Sequence, residues 1–209
     1  MAADTADPGG RGGPAPPELG APAPGAPGDA ALAARVVAFA APAALSTTQD
    51  VVRRVLPALT DAADPGVVAE ETLALVATVT ARAAEVGLRA RRPALEAVGP
   101  ALAELPFLYH DFLLGAEYVA GGAEGDVEPD QAVYDRLERK AAFYGAHVPP
   151  GRFPGPSVLR EKLPLWMGRV SPPKLPTTPD ARIAEPGLVD LVGAHARLVL
   201  AFAQRAAGG

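Results

Sequence analysis

The chain has no cysteine and no asparagine, and only three histidines and three serines, in 209 residues. Without cysteine it can form no disulfide, no thiolate nucleophile and no thiolate-ligated metal site. The serines are Ser46, Ser157 and Ser171. Ser157 stands among prolines with no histidine near it in sequence, which gives a hydrolytic nucleophile little support. Also missing are a glycine-rich phosphate loop, a G-x-S-x-G elbow, an H-E-x-x-H pair and paired Asp-rich motifs. The common nucleotide enzymes and hydrolases are disfavoured accordingly. Acids and bases are interspersed around a net charge of −5. No basic stripe of the kind a nucleic-acid binder presents is visible, so nucleic acid is an unlikely partner.

Alanine, glycine, proline and arginine are plentiful, with 22 glycines and 24 prolines, while lysine is confined to Lys140, Lys162 and Lys174. This bias reports a GC-rich coding sequence and says nothing of function. The most apolar stretch, from Ala30 to Leu45, is interrupted by Arg35 and Pro42. It falls short of the roughly 18 residues a transmembrane helix needs. The expectation is therefore a cytoplasmic chain with no transmembrane segment.

Residues 1–29 are proline, glycine and alanine with a few charges, a composition that cannot offset its own ordering entropy. They are predicted to be a disordered tail, followed by a single helical domain over 30–209. Helices are predicted from about Ala30 to Ala41, with Asp29 as cap and Pro42 as terminator. A second begins at the Ser46-Thr47-Thr48-Gln49 capping pattern and runs to about Ala63, kinked or split by Pro57. Asp64-Pro65 opens a third that ends at Gly87. Another follows from Pro93 to Leu105, with Leu95, Val98, Leu102 and Leu105 on one face and a break or bend at Gly99-Pro100. Pro106 opens an aromatic helix to Val119. A further helix, from Pro129 to Tyr144, buries Val133, Leu137, Ala141 and Tyr144 and is closed by Gly145. Residues 146–180 read as a proline-rich arm containing a short helix, Val158 to Met167, interrupted at Pro164. The last helix spans about Gly187 to Arg205, with Leu188, Leu191, His195, Leu198 and Phe202 as its seam. No period-2 strand and no repeat is present. The fold class is all-α, an irregular bundle of six or seven helices.

Nine of the eleven aromatic residues lie between Phe107 and Trp166. Aromatic and arginine side chains are the favoured anchors of interfaces. The predicted interaction residues are Phe107, Tyr109, Phe112 and Tyr118 on the aromatic helix, and Phe153, Arg160, Trp166 and Arg169 on the arm. The function that follows is non-enzymatic: an adaptor, regulator or assembly component that binds another protein, with no cofactor. The bland alternative for Trp166 is a buried plug.

Three other constellations bear on chemistry. His110 sits in the aromatic helix and is the one candidate for a general base or a cofactor pocket. Glu117 lies two turns further on, about 10.5 Å of rise, too far to share a metal with it unaided. His195, polar on an apolar stripe, either hydrogen-bonds a neighbouring backbone group or a tyrosine hydroxyl in the core or pairs with His110 across the bundle as a metal or haem site. The acids Glu124, Asp126, Glu128 and Asp130 alternate like calcium ligands. However, Pro129 stands where such a loop needs glycine, and acids before a helix suit its dipole. Finally, residues 45–56 have the outline of a helix-turn-helix recognition helix in which Arg53 and Arg54 could reach phosphates, but the surrounding elements are missing.

Overall fold

A computed structural model of the chain describes residues 28–59, 64–108, 131–170 and 186–208. Among these, every regular element is helical and no strand occurs, as the periodicity predicts. The elements are α1 (Asp29–Val55), a short 3-10 turn (Leu56–Ala58), α2 (Pro65–Leu88), α3 (Arg92–Ala103), α4 (Gln131–His147), α5 (Pro156–Val170), and a π-helical turn (Pro186–Asp190) leading into α6 (Leu191–Gly208). Residues 105–108 are also helical. The predicted tail lies outside the described residues except for its last two, Gly28, which caps α1, and Asp29, which begins it.

The bundle is arranged around α2, which touches α1, α3, α4, α5 and α6. Its sequence explains the position. Val68, Leu73 to Ala77, Val79, Ala83, Ala84 and Leu88 are buried on all sides of the helix, and a helix apolar all round belongs inside. Asp64 caps it, its Oδ1 accepting from Gly66 N at 2.8 Å and Val67 N at 3.4 Å. Its neighbours approach closely because they present small residues. Gly87 lies within α2, against α6, and a Cβ built there would come 2.6 Å from Ala203 Cβ. The predicted helix stop at Gly87 is therefore corrected: this glycine is there for the helix crossing, and α2 runs on to Leu88.

The predicted breaks at proline are corrected as well. Pro42, Pro100 and Pro164 lie inside α1, α3 and α5, and each helix runs through. All three are exposed, as are Ala38, Glu96 and Arg160, the residues four earlier whose carbonyls lose a donor. Water can satisfy a carbonyl freed on the outer face, so proline there costs curvature and not the helix. Likewise Gly145 does not close α4, which extends to His147. The Ser46–Gln49 capping pattern lies in mid-helix. Thr48 donates its hydroxyl back to Ala44 O at 2.9 Å, and Thr47 turns toward α6.

The stripes on α3 and α4 fall where expected in part: Val98, Leu102, Leu105, Leu137 and Tyr144 are buried, while Leu95, Val133 and Ala141 are half-buried. That of α6 is rotated. Val192, His195, Ala196, Val199, Ala203 and Ala206 face inward, Leu191 and Phe202 are half-buried, and Leu198 is 49% exposed. Valine and alanine let α6 sit close to α2, and the larger side chains are displaced to the margins. The arm is corrected in part. Residues 156–170 form one continuous helix packed into the bundle, and 171–185 lie outside the described residues.

Unbroken, α1 is 27 residues long. It and the stretch Gly187–Gly208 are each long and apolar enough to cross a membrane by length and composition, which corrects the expectation that Pro42 would keep α1 too short. Both helices nevertheless bury one face in the bundle.

Gly87→Ala should lower stability by about 1–3 kcal/mol in urea denaturation, because overpacking the α2–α6 crossing outweighs the roughly 1 kcal/mol gain in helix propensity.

Candidate functional site

Three places hold polar chemistry or open space. The first is a buried ion cluster joining α2, α4 and α5. Arg136, Lys140 and Tyr144 recur every four residues along one face of α4, opposite Glu70 and Glu71 of α2. Arg136 grips Glu70 with both Nε (2.8 Å) and Nη2 (2.7 Å). Arg169 of α5 grips Glu71 in the same forked way, at 2.6 and 2.9 Å. Lys140 Nζ bridges the two carboxylates at 2.8 and 3.2 Å. Tyr144 donates its hydroxyl to Glu71 Oε2 at 2.8 Å. The Arg169 guanidinium also lies 4.4 Å from the centre of the Phe143 ring, a cation–π contact.

Glu71 and Lys140 are only 2% and 5% exposed. Burial by itself would raise the carboxyl pKa of both glutamates. The hydrogen bonds and charges of Arg136 and Lys140 overcome it and hold Glu70 at about 2. Those of Arg169, Tyr144 and Lys140 lower Glu71. Burial and the adjacent Glu71 carboxylate push the Tyr144 phenol up, and the bond to Glu71 raises Arg169. No member is left seeking a partner, so the cluster acts as a clamp between helices.

The second place is His195, 3% exposed and buried between α1, α2 and α6. Thr80 Oγ1 lies 2.7 Å from its Nε2 and Thr47 Oγ1 lies 3.2 Å from its Nδ1. Thr80 already spends its single hydroxyl proton on Val76 O, at 2.7 Å. It must therefore accept from Nε2–H, and Nδ1 accepts from Thr47. The ring is neutral and satisfied, and burial lowers its pKa to about 4. His195 is a hydrogen-bonded core histidine, but its partners are two threonine hydroxyls, which corrects the expected backbone group or tyrosine. Metal ligation would require breaking one of these bonds. Among the described residues no group of three His, Cys, Asp or Glu is arranged to hold a metal ion.

The third place is a groove between α2, α3 and α4. Its inner part, about 220 Å³, is lined by the small residues Ala77, Ala81, Gly99, Ala103, Ala141 and Gly145 together with Leu95, Val98, Leu102 and Pro106. Arg82 at its edge is tied to Glu85 Oε1 at 2.6 Å and to Val148 O at 3.1 Å. The outer part, about 500 Å³, shares Ala103 and Ala141 and is lined by Glu104, Phe107, Tyr134, Glu138 and Ala142. Phe107 and Tyr134 stack there with centroids 5.6 Å apart. Leu108, next in the chain, is 56% exposed. Glu104 and Glu138 are exposed and form no ion pair among the described residues.

The predicted site residues divide accordingly. Phe107 lines the groove. Tyr109, His110, Phe112, Glu117 and Tyr118 lie outside the described residues, as do the acids 124–130. Trp166 is fully buried and Phe153 half-buried against the core, so the plug reading of Trp166 is the one the structure favours over a surface anchor. The indole Nε1 has no hydrogen-bond partner among the described residues, and packing alone holds the ring. Arg169 is engaged with Glu71, and Arg160 stands on the exposed side of α5. Sequence reading missed the clamp, although the 136–140–144 spacing was visible, because nothing in sequence placed it opposite Glu70 and Glu71.

No protein-family model, curated protein or solved structure matches this chain.

Two measurements check the energetics. Glu71→Gln should destabilise by about 3–5 kcal/mol, since it takes the carboxylate from Arg169 and leaves buried Lys140 with Glu70 alone, whereas Lys140→Met should cost less, because Arg136 and Arg169 still grip both glutamates. His195 gives a separate pH dependence. Its pKa is 6.5 unfolded and about 4 folded, so between those values the unfolded chain binds more protons and stability falls as pH drops. A loss of about 2 kcal/mol from pH 7.5 to pH 5 is expected in urea titrations, and His195→Gln should remove it. Below pH 4.5 the lowered Glu70 and Glu71 add a further decline toward pH 2.

Proposed function

We propose that this protein is a non-enzymatic interaction module whose groove between α3 and α4 receives an apolar, basic-flanked helix of a partner protein. The supporting observation is the open, small-residue cleft beside the Phe107–Tyr134 stack and exposed Leu108. Small lining residues let a helix backbone approach, and aromatic rims supply area at low entropic cost. The acids at the mouth, Glu104 and Glu138, select the charge of the occupant. This reading keeps Phe107 from the predicted aromatic anchors and replaces Trp166 with Leu108 and Tyr134. The charged clamp suits a scaffold more than catalysis, because its groups are saturated by one another.

A photo-crosslinking side chain at position 108 tests it in the native host. A discrete protein adduct is expected at that position and not at exposed Ala34 on α1. Phe107→Ala, or Glu104→Lys with Glu138→Lys, should reduce the adduct about tenfold or more, as loss of an interface anchor does, while thermal stability stays unchanged. An adduct indifferent to both changes, or none, would refute the reading.

A further inference from the structure

The face opposite the groove differs from the rest of the surface. α1 and α6 run antiparallel, with Phe39 stacked on Phe202 at 4.0 Å and 5° and Thr47 level with His195. That register sets exposed Leu198, Ala194 and Ala201 beside exposed Ala38 and Pro42, and brings Arg35 level with Arg205. Arg35, Arg197 and Arg205 are exposed and form no ion pair among the described residues. The two acids on α1 are already engaged, Asp29 by Arg91 at 2.7 Å and Asp50 by Arg53 at 3.2 Å. A chain of net charge −5 thus carries one largely apolar face on which the charges without an ion pair among the described residues are mainly positive, exposed Asp190 just before α6 being the acid among them. These are the same two helices whose length and composition suit a membrane.

We infer that the α1–α6 face docks on an anionic lipid bilayer, with both helices lying in the interface plane. The buried contacts of α1 with α2 and α6 keep it in the bundle, so it rests on the membrane and does not cross it. An apolar strip with arginines at its flanks is the composition of such helices.

The absence of native cysteine makes Leu198→Cys a unique labelling site for a polarity-sensitive dye. With the full chain and vesicles of phosphatidylcholine containing about one-third phosphatidylglycerol, the dye should shift to the blue, whereas phosphatidylcholine alone should leave it unchanged. The same dye on Ala142→Cys, across the molecule, should not respond. Unlabelled Arg35→Ala with Arg205→Ala should lower partitioning in sedimentation about thirtyfold, at roughly 1 kcal/mol per arginine. Leu198→Asp, at an exposed position, should abolish binding with the fold intact. Failure of the wild-type chain to bind anionic vesicles at low salt would overturn the inference. So would binding that survives both variants, or a dimer in sedimentation equilibrium that Leu198→Asp dissolves. Glu104→Lys leaves this assay untouched, so its outcome is independent of the groove.

Discussion

Two glutamates that follow one another on the central helix hold the arrangement together. Glu70 and Glu71 leave α2 in adjacent directions and meet Arg136, Lys140 and Tyr144 of α4 and Arg169 of α5. Burying these charges is costly, and the cost is offset only if every partner is in place. The cluster therefore specifies which faces of α4 and α5 turn toward α2. Alanine and valine contacts alone would permit neighbouring registers at similar energy. The fork of Arg169 also carries α5 with it, which explains how a helix following a proline-rich link comes to insert Trp166 into the core.

The same economy runs through the apolar interior. At Gly87 the missing side chain lets the backbone of α6 come close, at Leu200 O and Gln204 N, while at Gly187 and Gly193 it makes room for the side chains of Val55 and Pro156. Small residues bury little area each, so close approach has to supply dispersion contacts in quantity. On α6 this choice sends the large residues outward. Leu198 and Phe202 end on a margin with Phe39, and the arginines flanking them produce the amphipathic face proposed to meet lipid. On α3 and α4 the same preference for alanine and glycine leaves a groove instead of a sealed seam. The two proposed surfaces are thus by-products of one packing style, placed on opposite sides of α2. A chain that held a membrane with one and a partner with the other would be a tether.

His195 illustrates how a polar side chain becomes structural. Threonines on two other helices complete its hydrogen bonding, and the proton already committed by Thr80 to Val76 dictates the tautomer. The ring joins α1, α2 and α6 as the ion cluster joins α2, α4 and α5. Between them, the two polar nodes involve every described helix but α3.

The sequence by itself determined the helical class, the capping of α2 by Asp64 and the apolar stripes of α3 and α4, because periodicity and local capping are decided within a few residues. It also placed His195 on an inward face, but pointed to a backbone group or a tyrosine as its partner where the structure supplies two threonines. What it could not determine was the fate of its prolines and glycines. Pro42, Pro100 and Pro164 read as breaks, yet each falls on a wet face where a lost hydrogen bond is tolerated, and only the tertiary structure fixes which face is wet. Gly87 read as a stop, yet a neighbouring helix needs its space. The pairing of Glu70 and Glu71 with residues 66 to 98 positions away likewise exists only once the chain has closed on itself, since charge complementarity across helices leaves no mark in local pattern.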